Sequence, residues 1–178
     1  MTSQAAAAVH LLVERGETVA VAESLTGGLL AATIVEIAGV SAVFRGGLVV
    51  YATDLKASLG GVPERLLAER GPVDPDVAGA LARGVRDRCG ADWGVATTGV
   101  AGPQPQDGKP VGTVHVAVAG PGDAAVASLS IDGNRARVRD GAVTAALDLL
   151  TERLRRAVRV SGSPGPGPGP APQPAPRR

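Results

Sequence analysis

The stretch from residue 18 to residue 51 constrains this chain most, because 18-TVAVA-22 passes through 23-ESLTGG-28 into 28-GLLAATIVEI-37 with almost no loop between them. Thr18 to Ala22 reads as a short buried strand and Gly28 to Ile37 as a helix. Ala42 to Tyr51 is a second apolar strand region, with an irregularity at Gly46-Gly47. A strand, a helix and a second strand in so short a span already suggest a layered sheet.

The later pattern extends this. In 72-PVDPDVAGALARGVRDRCG-90, Val77, Leu81 and Val85 recur at helical spacing, with Asp74 as cap and Pro75 in the first turn. A strand is predicted at Trp93 to Thr98. GTVHVAVAG then alternates Val114, Val116 and Val118 against Thr113, His115 and Ala117, and a further strand falls near 125–131. A long Arg-rich helix closes the pattern over about 134–158. Strands interleaved with helices, followed by adjacent strands able to pair antiparallel, give an α/β class: a three-layer α/β/α sandwich on a mixed sheet, in one domain over about 1–160. From residue 161 the chain reads SGSPGPGPGPAPQPAPRR. Alternating Pro and Gly remove amide donors and predict a disordered tail, with a PxxP-like ligand for a partner as its one evident use.

Several function classes lose support. The only aromatic residues are Phe44, Tyr51 and Trp93, too few for a stacking platform for single-stranded nucleic acid. The net charge of +1 comes from arginines dispersed among acids, so no nucleic-acid partner is expected. Cys89 is the single cysteine, which rules out an internal disulfide and a multi-cysteine metal cluster. It is expected in the core. His10 and His115 lack the spacing partners of a metal site, so no metal is expected. No basic, apolar leader opens the chain and no uncharged run reaches the roughly 18 residues of a membrane span. A cytoplasmic protein without a membrane partner is the expectation.

On such sheets ligands sit beyond strand C-termini, and three segments offer polar or small residues there. In 21-VAESLTGGLLAATI-34, Ser24 precedes a helix whose free N–H groups favour an anion or a developing oxyanion. The alternative is that Ser24 or Thr26 is an ordinary N-cap. In 46-GGLVVYATDLK-56, Lys56 stands at an expected strand end and could serve as base to a serine hydroxyl if burial lowers its pKa, provided Asp54 points away. Tyr51 could relay the proton or orient a substrate. The alternative is a solvated lysine and a core tyrosine. In 97-TTGVAGPQPQDGKPVGTV-114, the G-x5-G-K-P spacing is one residue too long for a P-loop and puts Pro110 where a magnesium-binding Ser or Thr belongs. That excludes a nucleoside triphosphatase of this type. A loop of backbone donors for another phosphate or amide, or an ordinary Gly/Pro connection, remains.

Taken together, VAESLTGG, GGLVVYATDLK and TTGVAGP…GKPVGTV resemble the C-terminal domain family of the competence/damage-inducible protein CinA, which includes nicotinamide-nucleotide amidohydrolases. The resemblance covers about residues 5–157. It implies a three-layer α/β/α fold, commonly oligomeric, and a cofactor-independent deamidase that converts nicotinamide mononucleotide to nicotinic acid mononucleotide and ammonia in pyridine-nucleotide salvage. By position it implies Ser24 as nucleophile with Tyr51 and Lys56. The loop Thr98, Gly99, Val100, Ala101, Gly102 and Pro103 would line the substrate site.

Expected oxyanion donors are the amides near Thr26, Gly27 and Gly28, or near Thr98 and Gly99. Lys109 and helix N-terminal amides are the candidates for phosphate contact. Two departures from the family pattern are visible. Leu25 replaces a frequent cysteine, and the loop GPQPQDGKPVGT is one residue shorter and poorer in glycine. Larger members carry an N-terminal domain resembling molybdopterin-binding proteins, for which these 178 residues leave no room. The competing expectation is a CinA-like domain that binds a nucleotide or a partner without catalysis. A third is another amidase, or a metal-dependent nucleotide hydrolase that chelators would silence.

Overall fold

The computed structural model describes residues 2–157. The proposed disordered tail at 161–178 lies outside them. The elements follow as α1 (Thr2–Arg15), β1 (Val19–Glu23), α2 (Leu29–Val35), β2 (Phe44–Val49), α3 (Thr53–Ser58), α4 (Glu64–Arg70), α5 (Pro75–Cys89), β3 (Trp93–Gly99), β4 (Thr113–Ala119), β5 (Ala124–Ser130) and α6 (Arg135–Arg156). The strands form one sheet in the order β2-β1-β3-β4-β5. β2, β1 and β3 run parallel, while β4 and β5 are added antiparallel. The mixed sheet of the α/β expectation is therefore present.

Side-chain size divides its two faces. Val19, Val21, Val95, Val114, Val116 and Val118 face α1, α2 and α6 in one core. Ala20, Ala22, Ala96, Ala117 and Ala119 face α5 in the other. Alternation along a strand sends successive side chains to opposite faces, so 113-TVHVAVA-119 supplies both cores at once. The alanine face lets α5 come very close. A methyl group at Gly94 would lie 2.0 Å from the carbonyl oxygen of Ala82 on α5, a separation no packed structure accepts.

The Gly46-Gly47 irregularity is a bulge. Val19 pairs with Phe44 and Ala20 with Gly46, leaving Arg45 as the extra residue. Gly46 takes φ 139°, a conformation open to glycine. The predicted strand start at Ala42 shifts to Phe44 because Val40–Ala42 coil into one 3₁₀ turn. The helix predicted from Gly28 is shorter, since Gly28 at φ 96° is its cap and not its first residue. Lys56 stands on the short helix α3, not at a strand end. Among the described residues no helix is long and apolar enough to cross a membrane.

Candidate active site

β1 and β2 finish side by side, and the chemistry sits where they stop. Ser24 extends β1 by one residue, its amide donating to Thr97 O at 3.0 Å, while Val50 N donates to Glu23 O at 2.8 Å. Beyond these ends lies a cavity of about 330 Å³ whose lining includes Ser24, Tyr51, Lys56, Thr98 and the loop from Gly99 to Gln106. That volume is at the small end of the range for ligand pockets. The position, outside the carboxyl ends of parallel strands on either side of β1, is where open α/β sheets place ligands.

Ser24 and Lys56 form the floor, and both are buried. Lys56, 2% exposed, donates from Nζ to Val50 O at 2.9 Å and Tyr51 O at 3.2 Å. Among the described residues no carboxylate forms an ion pair with it. Asp54 faces a separate groove with Glu64 and Leu67. Burial without a counter-ion lowers the Lys56 pKa from the ordinary 10.5 to about 8. A neutral amine has two N–H donors and one lone pair. Two backbone carbonyls occupy the donors, which leaves the lone pair for the cavity. Ser24 Oγ has no hydrogen-bonding partner among the described residues.

Tyr51 and Arg135 form the rim. Tyr51 is 58% exposed, and its hydroxyl accepts from Arg135 Nη2 at 3.0 Å instead of meeting Lys56. Arg135 Nη1 donates to Gly102 O at 2.7 Å, tying the start of α6 to the 99–106 loop. Thr98, Gly99, Val100, Ala101, Gly102 and Pro103 all line the cavity. The Thr98 hydroxyl, however, is committed to Pro72 O at 2.7 Å.

The turn after Ser24 is built differently from either sequence expectation. Neither Ser24 nor Thr26 caps α2. The buried Glu23 carboxylate does so, accepting from Gly28 N at 2.9 Å, Leu30 N at 3.0 Å and Ala31 N at 2.8 Å. An anion so placed collects three of the free helix-terminal N–H groups in charge-assisted bonds. The Gly28 amide is thereby used, and Gly27 N donates to Ser24 O at 3.1 Å. Thr26 is fully buried, its hydroxyl 2.8 Å from Thr97 Oγ1. From α6, Arg139 donates Nε to Leu25 O at 3.1 Å and Nη2 to Thr26 O at 2.6 Å. Thr26, Gly27 and Gly28 thus stand behind the cavity wall. The amides of Leu25 and Thr26 donate to no acceptor among the described residues.

Lys109 is also outside the lining. The loop doubles back where Gln106 and Lys109 exchange backbone hydrogen bonds of 3.1 and 2.8 Å, which carries Lys109 toward His115. Burial and the Lys109 charge lower the His115 pKa, against an opposing pull from Asp74. His115 Nδ1 lies 2.8 Å from Ser128 Oγ. No helix follows this loop, which enters the antiparallel strand β4 directly, so the architecture of a P-loop is missing as well as its sequence. Among the described residues no three His, Cys, Asp or Glu side chains group as metal ligands.

Residue patterns gave no warning of Glu23, Arg135 or Arg139. Glu23 was legible in principle as an acid immediately before a Gly-Gly helix start. The two arginines lie in an Arg-rich helix whose spacing does not say which of them turns inward.

The model of the CinA C-terminal domain matches residues 1–154. A CinA-like protein of Frankia casuarinae is 56% identical over 144 residues, covering 81% of this chain and 33% of the relative. One from Gloeobacter violaceus is 47% identical over 149 residues, covering 82% and 35%. The chain thus spans about a third of the length of these relatives. Among solved structures, a competence-damaged protein (CinA) superfamily protein from Klebsiella pneumoniae superposes with TM-score 0.85 at 29% identity, covering 88% of this chain and 98% of that one. The competence/damage inducible protein CihA from Agrobacterium tumefaciens gives 0.82 at 35%, covering 87% and 95%.

Proposed function

The chain belongs to the CinA C-terminal domain family, and on that premise we propose that its cavity hydrolyses a carboxamide, taking nicotinamide mononucleotide to nicotinic acid mononucleotide and ammonia in pyridine-nucleotide salvage. The observation that carries this reading is the presence, in the lining of one cavity, of a serine hydroxyl with no other hydrogen-bonding partner and a buried lysine whose pKa falls to about 8. A base poised near the working pH is what proton abstraction from a hydroxyl requires.

In the proposed reaction the Lys56 lone pair takes the Ser24 proton as Oγ bonds to the carboxamide carbon, and the carbonyl electron pair moves onto oxygen. The uncommitted amide of Leu25, a residue of the cavity lining, is the candidate donor for that oxyanion, since Thr26 stands behind the wall and Gly27 and Gly28 have their amides engaged elsewhere. As the tetrahedral species collapses, the C–N bond breaks and the Lys56 ammonium protonates the leaving nitrogen, giving ammonia and an ester at Ser24. Water then adds to the ester carbonyl while Lys56 takes its proton. The C–Oγ bond breaks, the proton returns to Ser24, and the acid departs. Tyr51, bonded to Arg135, orients the substrate at the rim, and the Thr98 to Pro103 loop forms a wall against it.

Ammonia release from nicotinamide mononucleotide, compared with nicotinamide and with the riboside lacking phosphate, is the direct test. Turnover is expected, fastest with the nucleotide, and Ser24→Ala should fold normally and release none. Full activity in that variant would remove covalent catalysis by Ser24. Binding of the nucleotide with no ammonia from any substrate would replace the enzyme with a binding domain.

A further inference from the structure

The proposed reaction concerns one end of the substrate, and the cavity carries a separate signal about the other. Its charged lining residues are Lys56 and Arg135, with no aspartate or glutamate among them. Lys56 lies on the floor, where it loses its charge near pH 8. Arg135 keeps its charge at any working pH. Among the described residues it forms no ion pair, and its two hydrogen bonds go to neutral acceptors, Gly102 O and Tyr51 Oη. A permanent cation on a rim without acids, with only neutral partners, is an unfilled electrostatic complement to an anion.

Resting on the amidase reading for the identity of the ligand, we propose that Arg135 recognises the phosphate monoester of the substrate at the cavity rim, with the Tyr51 hydroxyl as a second donor. A guanidinium has five N–H donors in a planar fork, so Arg135 can keep its bonds to Gly102 O and Tyr51 Oη while its remaining N–H groups meet phosphate oxygens, an ionic partner stronger than any neutral acceptor. Because the Tyr51 oxygen accepts from Arg135, its own hydrogen is available to an incoming oxygen. The hydrogen bond from Arg135 to Gly102 O holds this rim against the loop that walls the cavity. The phosphate role expected of Lys109 from sequence passes to Arg135, because Lys109 lies outside the lining.

The test compares nicotinamide mononucleotide with its riboside in the wild type, Arg135→Gln and Arg135→Lys. The ratio of kcat/KM for nucleotide over riboside is the readout, since loosening of Tyr51 would slow both substrates and leave the ratio unchanged. Arg135→Gln should reduce this preference by roughly 10- to 100-fold, the scale of one charge-assisted pair, and Arg135→Lys should restore part of it. An unchanged ratio in Arg135→Gln would overturn the proposal. Calorimetric binding of nucleotide and riboside to Ser24→Ala and Ser24→Ala/Arg135→Gln separates this from the amidase reading. Selective loss of nucleotide affinity in the double variant supports Arg135 even if no ammonia is ever released. Equal nucleotide affinity in the two proteins refutes it.

Discussion

Lys56 Nζ donates to the carbonyl oxygen of Val50 at 2.9 Å, so the proposed base is gripped by the last backbone turn of the strand region that leads to it. Burial puts its folded pKa near 8, against an ordinary value of 10.5. Between those values the unfolded chain binds more protons than the fold, so stability rises as pH rises through that window. Below pH 8 the fold carries the full cost of a buried charge, on the order of 3 kcal/mol at 1.36 kcal/mol per pH unit. Urea unfolding at several pH values, followed by the buried Trp93, should show this gain in the wild type and lose it in Lys56→Met. Turnover should likewise rise with an apparent pKa near 8, and fall about 10²- to 10⁴-fold in that variant. A wild-type rate that is flat from pH 6 to 9 would remove Lys56 as base.

Glu23 is the most committed side chain behind the site, since its carboxylate satisfies three amides of the first turn of α2. Glu23→Gln keeps the shape but offers one acceptor oxygen and turns an NH₂ group toward N–H donors. At roughly 1.5–3 kcal/mol for a bond to a charged group, a loss of about 2–4 kcal/mol is expected in denaturant unfolding. A change below about 1 kcal/mol would show that the charge is dispensable there.

Gly94 offers a purely steric test. Its missing side chain is what lets Ala82 O approach, and the alanine-lined face of the sheet has no slack to absorb a shift. Gly94→Ala should cost about 1–3 kcal/mol, the usual range for overpacking, with the slope of the denaturant transition unchanged. An equally stable variant would mean that α5 can move off the sheet freely.

The fold was legible because each of its main decisions is local. The valine and alanine alternation in 113-TVHVAVA-119 fixes both faces of β4, and Asp74-Pro75 announces α5, whose cap Asp74 does accept from Asp76 N at 2.9 Å. The cavity-lining loop 98–103 was legible as small residues after a strand, and Ser24, Tyr51 and Lys56 do share one cavity. The short helices α3 and α4, of 6 and 7 residues, escaped because, unlike the equally short α2 within its apolar run 28-GLLAATIVEI-37, they offer too few apolar positions for a pattern to emerge. What sequence could not supply is competition for donors. The Gly27 and Gly28 amides looked free for a ligand until Glu23 and Ser24 O proved to hold them. Which arginine of α6 reaches the site depends on the docking angle of that helix against the sheet, a tertiary quantity with no local signature.

Arg139 and Arg135 illustrate that point from one helix and call for opposite readouts. Arg139 is not itself in the cavity lining and acts through the turn it grips, holding Leu25 O and Thr26 O from 114 and 113 residues away in sequence. It is a positioning residue for Ser24 and for the Leu25 amide proposed to receive the oxyanion. Arg139→Met preserves the alkyl stem and removes the grip, so the turn should relax while α6 stays packed through Val138, Ala142 and Val143. Misplacement on the order of 1 Å can cost about 100-fold in rate, so kcat should fall roughly 10- to 100-fold with KM nearly constant. Unfolding free energy should drop by no more than about 2 kcal/mol. Arg139→Lys, able to donate to one carbonyl at a time, should recover part of kcat. If kcat were unchanged in Arg139→Met while stability fell, the grip would be structural only, and the rigidity of the Ser24 turn would have to come from Glu23 alone.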